Sequence, residues 1–174
     1  MGDYEPRLGG LVHRLANLVG DGIRLGTGTR IDAFVTITGR VTIGRMVHIS
    51  TGASILGGSG CEIGDFSGLS PGARVFTATE DVSGDWIMHP TVPAHVRRAR
   101  SAFVSIGRHC TVGANSVLLP GAFLPDGAVV GALSLVKTEL PEWSISAGVP
   151  ARFIRARSRR ALELVRQLEQ ESST

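Results

Sequence analysis

An aliphatic residue returns at every sixth position along most of this 174-residue chain. The series begins loosely at Val19 and Leu25 and runs through Ile31, Ile37, Ile43, Ile49 and Ile55. It slips by two residues at Gly57-Gly58-Ser59-Gly60 and continues at Ile63, Leu69 and Val75. After a gap it resumes at Ile106, Val112, Leu118, Leu124, Val130 and Val136. Four positions after each lead sits a small or aliphatic residue, as at Val35, Val47, Ala53, Ala73, Cys110, Ser116, Ala128 and Ser134. A period of six fits neither an amphipathic helix nor a plain alternating strand. Its simplest solution is a short strand and a sharp turn, repeated, with three such units closing one triangular coil. The leads then stack inside a prism, coil upon coil. Glycine, 23 residues of the chain, suits the corners, and an aromatic content of 5% suits a narrow interior. The expectation is one all-β domain spanning residues 1–174, of about five coils and roughly 25 Å in height.

The ends depart from the repeat. Leu8, Leu11, Val12, Leu15 and Leu18 fall at helical spacing, so a short helix is expected within residues 1–20. Leu162, Val165 and Leu168 predict a second helix over 158–170, N-capped by Ser158, before a tail that frays. Helices of this kind cover the exposed ends of solenoids. Residues 81–105 interrupt the repeat as one long loop carrying Asp81, Asp85, Trp86, His89, His95, Arg97, Arg98 and Arg100. Loops of this length inside a compact domain are usually functional. No apolar run is long enough to span a membrane, and the N-terminus lacks the basic and apolar regions of a signal peptide. Cys61 and Cys110 lack metal-ligand spacing, so two free thiols in a reducing cytoplasm are expected. The basic residues gather at Arg97–Arg100 and Arg152–Arg160 without interleaved aromatics, which disfavours a nucleic-acid platform. Among the five histidines, His48 points outward between the core residues Val47 and Ile49, where a cleft between two chains can reach it. His109 reads as a surface or turn histidine, and His13 falls in the expected N-terminal helix.

The hexads, together with Val112-Gly113-Ala114-Asn115-Ser116, Val130-Gly131-Ala132-Leu133-Ser134 and Ala147-Gly148-Val149-Pro150-Ala151-Arg152, resemble the hexapeptide-repeat acyltransferases. Phe66-Ser67-Gly68-Leu69-Ser70, followed by Glu80-Asp81-Val82-Ser83-Gly84, is similar to the galactoside-acetyltransferase-like sugar acetyltransferases. The resemblance implies a left-handed parallel β-helix, a homotrimer, acetyl-CoA as donor, and a sugar or nucleotide-linked sugar as acceptor. It implies direct attack by the acceptor's hydroxyl or amine, assisted by a general base, with no metal. The family places a catalytic histidine just before the loop, but this chain reads Ala78-Thr79-Glu80-Asp81 there. Two schemes follow: His48 as base, oriented by Glu80 or Asp81 of the same or a neighbouring chain, or Asp81 acting with His89. The donor is expected along Ala114, Ser116, Gly131, Ala132, Ser134 and Gly148, with Arg152 and Arg155 meeting its phosphates. Lys137 follows Val136 in an order reversed from the family's Thr-Lys pair, which weakens its assignment to a phosphate. Trp86, His95, Arg97 and Arg98 are expected to touch the acceptor, the arginines through a diphosphate if the acceptor carries one. Because one prism has nearly flat faces, a clefted site also argues on physical grounds for assembly between chains, and the trimer is what the resemblance implies. The rival readings are an antibiotic-like acceptor, a non-catalytic scaffold, and a zinc hydro-lyase like the γ-type carbonic anhydrases. The last requires coil histidines five apart, which this sequence lacks.

Overall fold

The computed structural model describes residues 3–171. On one face of a prism seven strands stack in parallel: Gly10–His13, Arg30–Ile31, His48–Ile49, Gly68–Leu69, Thr111–Val112, Val129–Val130 and Ser144–Ala147. The chain therefore makes about seven coils rather than five, and residues 10–19 belong to the first of them. The second face follows each of the first six strands and the third face completes the turn, whereas after Ser144–Ala147 the chain turns back as the antiparallel strand Arg152–Ala156 of the same sheet. Thr36–Ile43 and Ser54–Ile63 each run continuously from the second face to the third. The parallel β-helix expected from the hexads is present. Ile31, Ile49, Leu69 and Val112 lie in register on the first face, and Ile37, Ile55, Val75 and Leu118 on the second. Almost every lead is fully buried.

The N-terminal helix is not formed. Tyr4–Arg7 and Gly10–His13 make an antiparallel hairpin whose second strand opens the prism. The turn between them is Leu8-Gly9, both at positive φ (54° and 91°). The leucine spacing that reads as helical also fits a strand and a corner, and Gly9-Gly10 favours the latter. The C-terminal helix is formed, over Arg160–Glu171, with the Ser158 hydroxyl accepting from the Arg160 amide (3.2 Å). Residues 172–174, where fraying is expected, lie outside the described residues.

The slip at Gly57–Gly60 is a bulge at the edge between the second and third faces. The loop leaves from the same edge, one coil later. Its neck is a two-stranded antiparallel ribbon, Ala78–Glu80 with Ala99–Ser101. The coil resumes at Val104–Ile106, two residues before the expected boundary, because Val104 already faces the core. Thr77 ties bulge to neck: its buried hydroxyl donates to the Leu56 carbonyl (2.8 Å) and accepts from the Ser59 amide (3.0 Å).

Hydroxyls also join the coils. Thr29 donates to the Gly44 carbonyl (2.7 Å) and Ser67 to that of Gly107 (2.8 Å). Ser116 donates to the Gly131 carbonyl (2.7 Å) and accepts from the Ser134 amide (3.1 Å). Ser116→Ala leaves both groups buried without that partner, so an unfolding free-energy loss of about 1–3 kcal/mol is expected in chemical denaturation.

The edge between the third and first faces carries a stack of rings. Phe66 lies 5.4 Å from His109, parallel to within 2°, and His109 lies 5.9 Å from Trp143. His109 does sit in a turn, at φ 58°, but it is buried rather than on the surface. Burial, with Arg108 beside it, holds its pKa below the ordinary 6.5. The unfolded chain therefore takes up this proton before the folded one does. Stability is fully present above pH 6.5 and declines as the pH falls from there toward the depressed folded pKa. A lower melting temperature at about pH 5.5 than at pH 7.5 is expected in wild type. His109→Phe, which keeps the stack, is expected to reduce that difference.

Candidate active site

The structure separates the predicted catalytic residues into two places. Glu80 and Asp81 lie at the neck of the loop. His48 lies on the first face, across the prism from that edge. Its partner is neither Glu80 nor Asp81 of the same chain. His48 Nε2 donates to Asp32 Oδ2 at 2.8 Å. Tyr4 Oη and Arg30 Nε donate to the other oxygen of Asp32, at 2.7 and 2.8 Å. Burial opposes the charge on Asp32, but the hydrogen bonds from Tyr4, His48 and Arg30 outweigh it and hold its carboxyl below the ordinary range. Sequence reading missed Asp32. The coil length gives the signal, since it sets Arg30 directly beneath His48 and Asp32 two residues farther along.

At the loop neck, Glu80 is three-quarters buried, and its Oε1 accepts a long contact from Arg97 (3.5 Å). Its Oε2 is buried and has no hydrogen-bond partner among the described residues. A buried carboxylate oxygen without a partner is costly, so such an atom marks a place where a donor is expected to arrive. Asp81 is differently placed. Its Oδ1 accepts from the Ser83 amide (2.8 Å), and hydrogen bonds from Ser83, side chain and backbone, lower its pKa. A carboxylate committed to a turn and acidified by it is a weak base. His89 and His95 are exposed on the loop. Asp81 and His89 form no hydrogen bond with each other among the described contacts. Trp86, Ile87 and Met88 form an exposed apolar tip, while Arg98 is exposed beside the ribbon.

The predicted donor residues divide by depth. Ala114, Ala132 and Gly148 follow one another up the edge between the first and second faces. The Leu133 amide donates to the Ala114 carbonyl (2.9 Å) and the Leu135 amide to that of Gly148 (2.9 Å). Ala132 and Gly148 are exposed, flanked by Leu133 and Val149, each 71% exposed. This makes a slim apolar rim with little side-chain bulk. Gly131 has no room for a side chain, as a Cβ there would sit 2.8 Å from that of Ala147. Ser116 and Ser134 correct the expectation, because they are buried inside the corner. Ser134 Oγ donates to the Ala132 carbonyl (3.3 Å) and accepts from the Gly148 amide (3.0 Å), so both serines hold the edge from within. Arg152 is exposed near the top of this edge, on the strand Arg152–Ala156. Arg155 pairs with Ile145 farther along that strand, and Lys137 is exposed on the second face after Val136.

Cys61 and Cys110 are free and buried, and burial pushes their thiols up to about 12 and about 11. Neither is a nucleophile at neutral pH. No helix among the described residues is long and apolar enough to cross a membrane.

No family model matches the chain. Individual proteins do. The dTDP-4-amino-4,6-dideoxy-D-glucose acyltransferase of Escherichia coli is 34% identical over 147 residues, 83% of this chain and 77% of that one. The putative lipopolysaccharide biosynthesis O-acetyl transferase WbbJ of Escherichia coli K12 is 31% identical over 144 residues, 78% of this chain and 69% of that one. Among solved structures, AntD, an N-acyltransferase from Bacillus cereus in complex with dTDP and 3-hydroxybutyryl-CoA, superposes with a TM-score of 0.92 at 34% identity. That match covers 95% of this chain and 89% of AntD. A variant of AntD in complex with dTDP-4-amino-4,6-dideoxyglucose and coenzyme A gives a TM-score of 0.91 at 34% identity, covering 94% and 89%.

Proposed function

As this chain belongs to the hexapeptide-repeat, parallel β-helix family of sugar acyltransferases, we propose that it transfers an acetyl group from acetyl-CoA to the amino group of a nucleotide-linked sugar. The observation that carries the chemistry is the buried, partnerless Oε2 of Glu80 at the loop neck. The relatives' dTDP-linked amino sugar supports the acceptor class. The rim of Ala114, Ala132 and Gly148, with Arg152 near its top, supports a thin pantetheine arm and its phosphates.

The neutral amine attacks the thioester carbonyl, forming a C–N bond and placing negative charge on the carbonyl oxygen. Collapse breaks the C–S bond, and the leaving thiolate ends with the proton shed by the amine, which frees coenzyme A and restores the Glu80 carboxylate. Glu80 accepts the proton that the amine sheds as it becomes an amide. Arg97, on Oε1, fixes the carboxylate in place. Trp86, with His95 and Arg98 on the same loop, walls the acceptor. In this reading Asp81 shapes the loop turn, and neither His89 nor His48 carries the base function. The enzyme works as a homotrimer, since the exposed apolar tip of the loop, Trp86, Ile87 and Met88, is left to be covered by a neighbouring chain. Two free cysteines are in keeping with a cytoplasmic enzyme.

The test is thiol release from acetyl-CoA with a panel of acceptors: a dTDP-linked 4-amino sugar, the same sugar with a 4-hydroxyl, the free amino sugar and chloramphenicol. Release with the nucleotide-linked amino sugar well above the others is expected. Release with chloramphenicol alone overturns the acceptor class.

A further inference from the structure

The phase slip at Gly57–Gly60 takes no part in the chemistry above. Ile37 and Ile43 keep the six-residue spacing, whereas Ile55 and Ile63 are two residues farther apart. Gly39 pairs with Gly57 and Val41 with Cys61, so Arg40 alone stands opposite Gly58, Ser59 and Gly60. Two residues are therefore inserted at the edge between the second and third faces, one coil before the point where the loop leaves. A bulge locally bends and twists the strand that carries it, and bulges beside a site re-aim side chains.

Both legs of the loop rest on this insertion. On the outgoing leg the Thr77 side chain is fully buried. Its hydroxyl donates to the Leu56 carbonyl and accepts from the Ser59 amide, while the Thr77 amide donates to the same carbonyl (3.2 Å). On the returning leg the Ala102 amide donates to the Thr77 carbonyl (2.9 Å), and the Phe103 ring lies against Gly60. Gly60 is buried at φ 97°, and a Cβ there would come within 2.8 Å of that ring, so the close approach requires glycine. Thr29, Ser67, Ser116 and Ser134, the hydroxyls that join regular coils, all stand four residues after a lead. Thr77 stands two after Val75, and one of its partners, Ser59, exists only because of the insertion. Beyond this root the neck has little to hold it. Ala78–Glu80 and Ala99–Ser101 form a two-stranded ribbon without a buried residue, and such a ribbon is marginal on its own. Its direction is set three residues before Glu80.

We infer that the inserted residues are a pedestal for the loop, and that Thr77 is a positioning residue that sets, through this pedestal, where Glu80 Oε2 points. The inference rests on the reading of Glu80 as the base. A buried hydroxyl with both hydrogen bonds made to the coil beneath fixes the root of the ribbon. Proton transfer is sensitive to that placement, since a misplacement of about 1 Å can cost on the order of a hundredfold in rate.

Steady-state kinetics of full-length variants with a nucleotide-linked amino sugar tests the inference. Thr77→Val keeps the shape of the side chain and removes both of its hydrogen bonds. Its kcat is expected to fall roughly ten- to a hundredfold, with acetyl-CoA affinity and the acceptor's KM within about a factor of two of wild type. Thr77→Ser keeps the hydroxyl and is expected to recover most of the loss. Deletion of Gly58 and Ser59 leaves Ile55-Leu56-Gly57-Gly60-Cys61-Glu62-Ile63, the spacing of Ile37–Ile43. The shortened chain is expected to bind acetyl-CoA as wild type does and to lose kcat at least as far as Thr77→Val. The decisive comparison is Thr77→Val in the Glu80→Gln background. A group that acts only through the carboxylate has nothing left to position there, so no further fall in the residual kcat is expected. A full additional fall shows Thr77 acting independently of Glu80 and overturns the inference. So does a Thr77→Val or a deletion variant with the kcat of wild type, or a Thr77→Ser variant as slow as Thr77→Val. Wild-type turnover by Glu80→Gln alone removes the base itself, a different failure that takes the role of Thr77 with it.

Discussion

Glu80→Gln is expected to lower kcat for acetyl transfer by roughly a hundred- to ten-thousand-fold, the range for removal of a positioned general base. The amide has the size of the carboxylate and keeps an oxygen for Arg97, so the loop neck remains intact. It has no proton-accepting charge. Acetyl-CoA affinity is expected to stay within a factor of about two, since the donor rim lies on another edge. Glu80→Asp keeps the charge but shortens its reach, so partial activity is expected. Asp81→Asn, by contrast, is expected to have a small effect on kcat, because the asparagine side chain still accepts from the Ser83 amide. Steady-state kinetics with a nucleotide-linked amino sugar checks all three.

The largest effect on stability is expected at Trp143. Its ring packs over Gly127, where a Cβ would lie 2.3 Å from the indole, and it is only 6% exposed. It sits at φ 44°, an αL position costly for a bulky side chain. That cost is offset by the packing. The guanidinium groups of Arg157 and Arg159 lie 5.7 and 5.6 Å from its ring centroid. Arg157 also donates to the carbonyls of His109 (2.5 Å) and Gly127 (3.1 Å), tying the C-terminal strand to two coils beneath. Trp143→Ala removes the lid from this stack. A loss of about 3–5 kcal/mol is expected, with a melting temperature lower by roughly 10 °C. Thermal denaturation followed by circular dichroism measures it.

The hexads made the prism legible because side chains that stack in a narrow interior must recur with the coil. Even the slip at Gly57–Gly60 appears in the sequence as a change of phase. Leu8 to Leu18 misled because their spacing suits a helix and a strand-and-corner alike. The deciding residues were Gly9 and Gly10, not the leucines. The site was less legible. His48 stands out as an outward histidine, but its carboxylate partner is sixteen residues away, and only the coil length brings Asp32 to it. Ser116 and Ser134 belong to the motifs that suggest a donor groove, yet their hydroxyls turn inward to bond neighbouring coils. The state of Glu80 is invisible in one dimension. It depends on the loop folding back to bring Arg97 to one oxygen while burying the other.

The most direct measurement is a crystal structure with a dTDP-linked 4-amino sugar and coenzyme A bound together. The account predicts the sugar's amino nitrogen within about 2.6–3.2 Å of Glu80 Oε2, beside the coenzyme A sulfur. An amine held instead against His48 or His89, with Glu80 Oε2 facing only protein, contradicts it.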